Sequence, residues 1–274
     1  MKIDINTKMI TLLGKPLGQS FAARMQNAGY EAAGLNMLYF YTEVDKDHLG
    51  DVVNGLRYMN FAGFAVTKPN KVRVLRYLDE LDPLCKKMGA SNTVVKTPEG
   101  KLIGYNTDGV GFYTSLVEEG KINVEESTFF CFGAGGAGRA MCSVLAYHGA
   151  KKIYITDFYE PCAESLVMDI NENFAPVAEL VHHGDYAKIA ECNVVMNASG
   201  IGMGSTIGQT PMPVEHIQPG QFYFDACYNP DKTQFLLNAE EKGCQVLNGL
   251  GMSLYQGAAQ IELWTGEKAP VEAM

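Results

Sequence analysis

The amino-acid sequence predicts an α/β protein of two domains, and three observations support this prediction. Short apolar runs of strand length alternate with longer amphipathic stretches over nearly the whole chain. The chain has 274 residues, which corresponds to two domains at about 150 residues each. Near residue 129 the alternation begins again, directly before a loop rich in glycine. We therefore expect helices to flank the strands in both halves.

The first half is predicted to contain three strands, three helices and a hairpin. The strands are 9–13, 37–41 and 61–66, the helices are 21–33, 44–59 and one opened by 67–69, and the hairpin arms are 93–96 and 101–105. Pro69 fits the first turn of the third helix, because its missing N–H would have no partner there. A helix over 108–119 is predicted to contain the boundary between the domains.

The second half is predicted to contain six strands, with helices between most of them. The strands are 129–132, 153–156, 177–181, 194–197, 223–226 and 245–247. A glycine loop at 133–138 separates the first of these strands from a helix at 139–148. Strands that alternate with helices in this way are typical of a parallel sheet.

The net charge excludes two classes of partner. Lys and Arg number 22 and Asp and Glu 31, which gives a formal net charge of −9. An acidic chain lacks the positive surface that phosphate backbones require, so we expect no nucleic-acid partner and no anionic membrane. No apolar run approaches the roughly 18 residues of a membrane-spanning helix. Asp4 and Asn6 stand where a signal peptide would be apolar, so we expect no signal peptide.

The cysteines and histidines predict neither disulfides nor a metal site. The seven cysteines are widely spaced and form no Cys-x-x-Cys pair, which predicts reduced thiols and a cytoplasmic protein. The five histidines lack metal-ligand spacing, and the adjacent His182 and His183 would point to opposite faces of a strand. The sequence contains no G-x-S-x-G motif, so metal-dependent or nucleophilic hydrolysis is disfavoured.

The glycine loop predicts a dinucleotide site. Gly133, Gly135 and Gly138 match G-x-G-x-x-G, with Gly136 and Ala137 between the last two. The first glycine permits a tight turn, the second lets backbone N–H groups approach a pyrophosphate, and the third lets helix and strand pack closely. The N-terminus of the following helix favours an anion, because its N–H groups lack partners. This context predicts a Rossmann dinucleotide-binding domain.

The acid that follows the loop bears on the choice of cofactor. Asp157 ends the second strand, 19 residues after Gly138, where a carboxylate can accept hydrogen bonds from the ribose hydroxyls of NAD. A 2′-phosphate would meet a like charge there, at a cost on the order of 1–4 kcal/mol at ~4 Å. We therefore expect NAD, with NADP less favoured. S-adenosylmethionine stays open from this unit alone, although the domain before the loop disfavours a methyltransferase.

Further motifs lie on both sides of the glycine loop. They are GKPLGQS at 14–20, VTKPNK at 66–71, GASNTV at 89–94, GYNTDGVGF at 104–112, GAGGAGRA at 133–140, NASGIGM at 197–203, DACYNP at 225–230 and GLGMSLYQ at 249–256. In content and order they resemble the shikimate/quinate dehydrogenase family, and the resemblance covers nearly the whole chain. The NTDG motif and the final motif are specific, whereas the glycine loop is generic.

The resemblance implies a domain organisation and a reaction. A substrate-binding domain would span 1–108 and be completed by a C-terminal helix at 250–274, and a Rossmann NAD(P)-binding domain would span 109–249. The active site would lie in the cleft between the domains. The implied activity is reversible NAD(P)-dependent oxidation of shikimate to 3-dehydroshikimate, so the partner is a small cyclohexene or cyclohexane carboxylate.

The resemblance also assigns roles to single residues. It places the catalytic proton-transfer pair at Lys71 and Asp108. The implied substrate contacts are Ser20, Thr67, Asn92, Tyr228 and Gln256. The implied contacts on the nicotinamide side are Asn197, Met203, Gly249 and Met252. A lysine can take the hydroxyl proton as hydride leaves the same carbon, and can stabilise the carbonyl oxygen in the reverse direction.

Three substrate-binding positions depart from the family pattern. Ala22 replaces the second serine of Ser-x-Ser-Pro, Ala65 replaces an asparagine, and Gln19 replaces a histidine. Loss of one donor to the substrate carboxylate costs about 1.5–3 kcal/mol unless Gln19, Asn70 or a backbone N–H replaces it. These departures leave open an NAD-dependent dehydrogenase for quinate or a substituted shikimate.

A non-catalytic sensor that binds a dinucleotide is the alternative from another class of protein. Lys71 and Asp108 disfavour it, because a sensor needs no pair of residues for proton transfer. The sequence leaves the oligomeric state open between a monomer and a homodimer.

Overall fold

The chain folds into two compact units, each built on its own sheet. The computed structural model describes residues 3–18 and 20–274, and Met1, Lys2 and Gln19 lie outside the described residues. The first unit holds the chain up to Val110 together with Leu254–Met274, and the second unit is Gly111–Ser253. Across the described residues each unit contains a six-stranded sheet with helices, which confirms the predicted α/β class.

The first unit contains a mixed sheet. In chain order its elements are β1 (Lys8–Gly14), α1 (Ala22–Ala32), β2 (Met37–Glu43), α2 (Leu49–Tyr58), β3 (Phe61–Val66), β4 (Glu80–Leu81), α3 (Pro83–Met88), β5 (Thr93–Lys96), β6 (Leu102–Tyr105) and the start of α4 (Thr107–Glu118). The strand order is β2-β1-β3-β5-β6-β4. β5 runs antiparallel to β3 and β6, and the other pairs are parallel. The predicted hairpin is therefore β5 and β6.

Two predicted helices of the first unit differ from the structure. α2 begins at Leu49 rather than at residue 44, because the Asp45 carboxylate accepts the N–H groups of Asp47 and His48 and holds them in a turn. The predicted helix after Pro69 is wrong, since the segment forms one short 3-10 helix at Arg73–Tyr77. In this segment the side chains of Asn70 and Lys71 bond to Val44 O and Asp108, outside the segment.

The second unit contains an entirely parallel sheet. Its elements after α4 are β7 (Thr128–Phe132), α5 (Gly136–Tyr147), β8 (Lys152–Thr156), α6 (Glu160–Asn173), β9 (Ala178–Leu180), β10 (Val194–Asn197), β11 (Phe222–Asp225), α7 (Gln234–Glu241), β12 (Gln245–Leu247) and the start of α8 (Leu250–Thr265). The strand order is β12-β11-β10-β7-β8-β9, with every pair parallel. This is the doubly wound Rossmann order, in which ligands bind at the carboxyl ends of the strands where the order reverses. The reversal lies between β7 and β10.

Buried aromatic side chains fill the central strand of the second unit and hold the end of α8 in the first unit. Phe129, Phe130 and Phe132 on the central strand β7 are all buried, as expected for a parallel strand covered on both faces. The end of α8 belongs to the first unit, where Trp264 packs 6.1 Å from the ring of Tyr39. Trp264 Nε1 also donates to Val94 O at 3.0 Å, which holds α8 on the sheet.

The cysteines are free thiols, and six of the seven are buried. Burial raises the pKa of Cys85 and of Cys192 to about 12, so their thiols stay protonated and unreactive at neutral pH. Cys162 is the exposed thiol among the seven. In the part of the chain that the structure describes, no helix has the length and apolar character needed to cross a membrane.

Candidate active site

The order of strands β3, β5 and β6 brings three chain segments to one edge of the first sheet. Because β5 is antiparallel to both neighbours, its start lies beside the carboxyl ends of β3 and β6. The Val66 N–H donates to Asn92 O at 2.8 Å, and the Asn92 N–H donates to Tyr105 O at 3.1 Å. Lys71 follows β3 and Asp108 follows β6, so this topology brings both residues to Asn92.

Lys71 and Asp108 form an ion pair. Lys71 Nζ donates to Asp108 Oδ2 at 2.6 Å. The side chains are 28% and 17% exposed, so the pair is partly buried and still open to a ligand. Asp108 lies in the first turn of α4, where the helix dipole favours a carboxylate. The pair therefore places an N–H donor of Lys71 against the Asp108 carboxylate, which α4 holds in place.

The Asn92 amide orients the carboxylate of this pair. Asn92 Nδ2 donates to Asp108 Oδ1 at 3.0 Å and lies 3.3 Å from Gln256 Oε1. Its oxygen accepts the Thr107 N–H at 2.7 Å. Asn92 is 3% exposed, so the loss of these bonds would leave buried polar atoms without partners. The structure thus brings together four of the predicted site residues: Lys71, Asp108, Asn92 and Gln256.

The remaining substrate contacts predicted in the first unit lie after β1 and β3. Ser20 Oγ accepts the Ala22 N–H at 3.3 Å, and the Tyr41 hydroxyl donates to Ser20 O at 2.6 Å. Thr67 directly follows β3, and its N–H donates to Leu13 O at 2.8 Å. Gln19, which the sequence offered as a replacement donor, lies outside the described residues. Tyr41 is a hydroxyl near Ser20 that no sequence motif indicated.

Asn70 has a role other than that of a replacement donor. It is fully buried, and its Nδ2 donates to Val44 O at 3.1 Å. This bond ties the segment that carries Lys71 to the end of β2. Ala65 is also buried, at 1% exposure, within the core of the sheet.

The glycine loop has the shape that a pyrophosphate requires. α5 begins at Gly136 behind Gly135, with no side-chain cap and no acidic residue in its first turn. Space is open at the Cβ positions of Gly135 and Gly136, whereas a Cβ at Gly138 would overlap the carbonyl of Gly133. Gly133 itself has a φ of 99°, which favours glycine. The loop therefore presents backbone N–H groups to an open space, as a bound phosphate needs.

The Asp157 carboxylate holds the loop in place. Its Oδ2 accepts the Ala134 N–H at 2.7 Å, and its Oδ1 accepts the Tyr159 N–H at 2.8 Å. Both oxygens are therefore engaged by backbone donors. These two bonds give the acid at the end of β8 a structural role in the loop.

Of the other predicted residues, Asn197 ends β10, Met203 and Tyr228 lie in the loops after β10 and β11, and Gly249 and Met252 follow β12. Met203 is 42% exposed, whereas Asn197 is fully buried and donates to Ile201 O at 2.8 Å. Gly249 packs so closely on Ala226 that a Cβ would overlap the Ala226 carbonyl. Met252 is partly buried in the first turn of α8. Tyr228 is the remaining predicted substrate contact, and burial raises its pKa.

Asp225, at the end of β11, connects these loops, and the sequence motifs did not single it out for a role. The side chain is fully buried and accepts from Asn197 Nδ2 at 3.0 Å, the Cys227 N–H at 2.9 Å and Thr233 Oγ1 at 2.6 Å. Burial raises the pKa of Asp225, and the three donors act against that rise. A carboxylate that ends an apolar strand is the sequence signal for such a residue.

The raised pKa of Asp225 predicts a pH dependence of stability. The folded protein holds the proton more tightly than the unfolded chain, so this contribution is full below pH 3.8, the ordinary pKa. It is lost as the pH rises from there through the pKa in the folded state. Relative to Asp225→Asn, the free energy of unfolding of the wild type should therefore fall over this range in denaturant titrations. Exposed Asp47→Asn is the control, and an equal slope in all three proteins would refute the prediction.

The fold and the site define a class of protein. The chain contains a Rossmann sheet with an open glycine loop, and a lysine–aspartate pair beside a buried asparagine. These features together are typical of a dinucleotide-dependent oxidoreductase. Two family models match the chain: "Shikimate dehydrogenase substrate binding domain" at residues 12–94 and "Shikimate 5'-dehydrogenase C-terminal domain" at residues 249–274. The chain belongs to the shikimate dehydrogenase family, which confirms the resemblance seen in its motifs.

Similar proteins extend over the whole chain. A shikimate dehydrogenase (NADP(+)) of Desulforamulus reducens is 39% identical over 277 residues, covering 100% of this chain and 95% of the relative. Shikimate 5-dehydrogenase from Listeria monocytogenes, solved with shikimate and NAD, has a TM-score of 0.94 at 38% identity and covers 99% of this chain and 96% of its own. The Thermus thermophilus enzyme with NADP(H) and shikimate has a TM-score of 0.86 at 29% identity, covering 97% and 96%.

The expectation that NAD is favoured over NADP is wrong. The relative from D. reducens is named for NADP(+), and the T. thermophilus structure holds NADP(H). The expectation rested on Asp157 alone, and its carboxylate also accepts the Ala134 and Tyr159 N–H groups. One acid at this position therefore does not decide the cofactor.

Proposed function

We propose that this chain is a shikimate dehydrogenase that oxidises shikimate reversibly to 3-dehydroshikimate with NADP. The observation that carries the proposal is the Lys71–Asp108 pair, held by Asn92 at one edge of the first sheet. The full-length similarity to shikimate dehydrogenases supports the same reaction. The cysteine pattern supports a cytoplasmic location.

Lys71 and Asp108 divide the proton chemistry between them. In the oxidation, the neutral Lys71 amine accepts the proton of the reacting hydroxyl, and in the reduction its ammonium returns a proton to the carbonyl oxygen. Asp108 holds Nζ in place at 2.6 Å and can accept a hydrogen bond from the same hydroxyl. Ser20, Thr67, Asn92, Tyr228 and Gln256 are proposed to bind the rest of the substrate.

The second unit is proposed to hold the dinucleotide. The backbone N–H groups at Gly135, Gly136 and Ala137, where α5 begins, are proposed to bind the pyrophosphate. When bound, the nicotinamide ring supplies the hydride acceptor for the oxidation. Met203, Gly249 and the loops fixed by Asn197 are proposed to line the nicotinamide side.

Steady-state kinetics with the purified full chain test the proposal. We expect shikimate to reduce NADP with kcat in the ordinary range of roughly 1–10³ s⁻¹. Quinate should give a value of kcat/KM at least about tenfold lower, because a binding pocket discriminates against one added or missing small group by roughly 10–200-fold. NAD is assayed in parallel with each substrate.

Two results would contradict the proposal. No reduction of NADP by shikimate would reject the NADP-dependent activity, and a higher kcat/KM for quinate would assign a different substrate. Tight binding of the dinucleotide without turnover of either substrate would favour a sensor.

A further inference from the structure

A chain of buried amides and hydroxyls runs from α1 to the Asn92 side chain in the first unit. Gln26 Nε2 donates to Gln260 Oε1 at 2.9 Å, and Gln260 Nε2 donates to Thr93 Oγ1 at 2.9 Å. Thr93 Oγ1 donates to Asn92 Oδ1 at 3.0 Å. These four side chains are each between 0% and 3% exposed. We propose that Gln26, Gln260 and Thr93 are positioning residues that set the orientation of the Asn92 amide and thereby of the Asp108 carboxylate.

The donor-to-acceptor direction of these hydrogen bonds is set at Gln26. The backbone carbonyl of Gly257 can only accept a hydrogen bond, and Gln26 Nε2 donates to it at 3.1 Å. Reversal of the Gln26 amide would place two acceptors against each other, so its second proton goes to Gln260 Oε1. Gln260 then has its nitrogen free to donate to Thr93. Among the described residues Gln26 Oε1 has no hydrogen-bond partner. The hydrogen bonds of this buried amide are therefore the two that its nitrogen donates.

The same donor-to-acceptor direction is set independently at Asn92. The backbone N–H of Thr107 can only donate, and it donates to Asn92 Oδ1 at 2.7 Å. The Thr93 hydroxyl donates to the same oxygen at 3.0 Å. The Thr107 hydroxyl accepts from Asn92 Nδ2 at 2.9 Å and lies 3.2 Å from Asn92 Oδ1. The Thr107 N–H and the Thr93 hydroxyl therefore both hold the oxygen of Asn92. The nitrogen of Asn92 must then face Asp108.

The consequence falls on the proposed catalytic pair. With its oxygen held from behind, Asn92 presents N–H groups to Asp108 Oδ1 and leaves Asp108 Oδ2 to Lys71. A reversed amide would place an oxygen against the carboxylate and repel it. The inference rests on the proposed function for its catalytic meaning, whereas the orientation of Asn92 is a property of the first unit alone.

Gln260→Leu, which removes the donor to Thr93, tests the inference. We expect kcat for shikimate to fall about tenfold or more, as when one buried polar group loses its partner, with KM for NADP unchanged. Hydrogen exchange at the Thr107 amide should become faster, because its acceptor is no longer held. Gln221→Leu is the matched control: Gln221 is a buried amide of the second unit that bonds Ile189 O and Cys192 O. That control should lose comparable thermal stability and keep kcat within about twofold.

A second pair of variants keeps the test decisive if the leucine variants do not fold. Thr93→Val removes the hydroxyl with little change of shape, and Thr93→Ser restores it. We expect the loss of kcat and the faster Thr107 exchange in Thr93→Val, and recovery of both in Thr93→Ser. The inference is overturned if Gln260→Leu or Thr93→Val keeps wild-type kcat and Thr107 protection while the wild type oxidises shikimate. If the wild type does not oxidise shikimate, the proposed function fails, and Thr107 exchange alone decides the orientation of Asn92.

Discussion

Lys71→Met is expected to lower kcat for shikimate oxidation by roughly 10³-fold, because general acid–base catalysis by a positioned side chain contributes about 10²–10⁴-fold. Methionine fills a similar volume but cannot accept or donate the proton of the reacting hydroxyl. KM for NADP should change little, since the residues proposed to hold the dinucleotide are in the second unit. Initial-rate kinetics over both substrates measure the two effects separately.

Two further variants identify the cause of this loss. Lys71→Arg keeps a cation beside Asp108, which Lys71 contacts at 2.6 Å, but a guanidinium does not release its proton, so its kcat should also be low. Lys68→Met removes a nearby exposed lysine and should leave kcat within about twofold. If Lys71→Arg recovers most of the activity, Lys71 acts by its charge and not by proton transfer.

Two glycine substitutions in one loop are expected to affect different properties, one the dinucleotide affinity and the other the stability of the fold. Gly135→Ala adds a methyl group to open space, so the fold should be kept while dinucleotide affinity falls by about tenfold or more. Gly138→Ala would press its methyl group on the Gly133 carbonyl, so the free energy of unfolding should fall by about 1–3 kcal/mol. Calorimetric titration with NADP and denaturant unfolding measure the two quantities.

Gly149→Ala provides a control for the strain of substitution alone. Gly149 has a φ of 79° at the end of α5, far along the chain from the loop, so its replacement should lower stability without a specific loss of dinucleotide affinity. Unchanged affinity in Gly135→Ala would mean that the open space above the loop does not receive the pyrophosphate. Unchanged stability in Gly138→Ala would contradict the close packing of the loop on the helix.

The sequence predicted the architecture because its elements have regular periods. The strand Phe61–Val66 and the strand Val194–Asn197 were predicted at their observed bounds, since each is a short apolar run that begins directly after an asparagine. The failures lie where side chains bond to the backbone. The Asp45 carboxylate accepts the His48 N–H before α2 begins, and the Asn70 side chain bonds to Val44 O.

The site could be predicted as a set of residues but not as an arrangement. The motifs named Lys71, Asn92 and Asp108, yet their meeting depends on β5 running antiparallel to both neighbours. Gln26 and Gln260 carry no motif, because a buried glutamine on a helix resembles a surface glutamine until its partners are known. The role of Asp157 in holding the loop was missed for the same reason, since its backbone partners cannot be read from the sequence.

A crystal structure of the full chain with shikimate and NADP tests the proposed roles of Lys71 and Asp108 most directly. We expect Lys71 Nζ and an oxygen of Asp108 to lie within about 3 Å of the hydroxyl that is oxidised. Asn92 should keep its nitrogen toward Asp108, as in the present structure. Shikimate bound with that hydroxyl on other groups, out of reach of Lys71, would show that Lys71 does not transfer the proton.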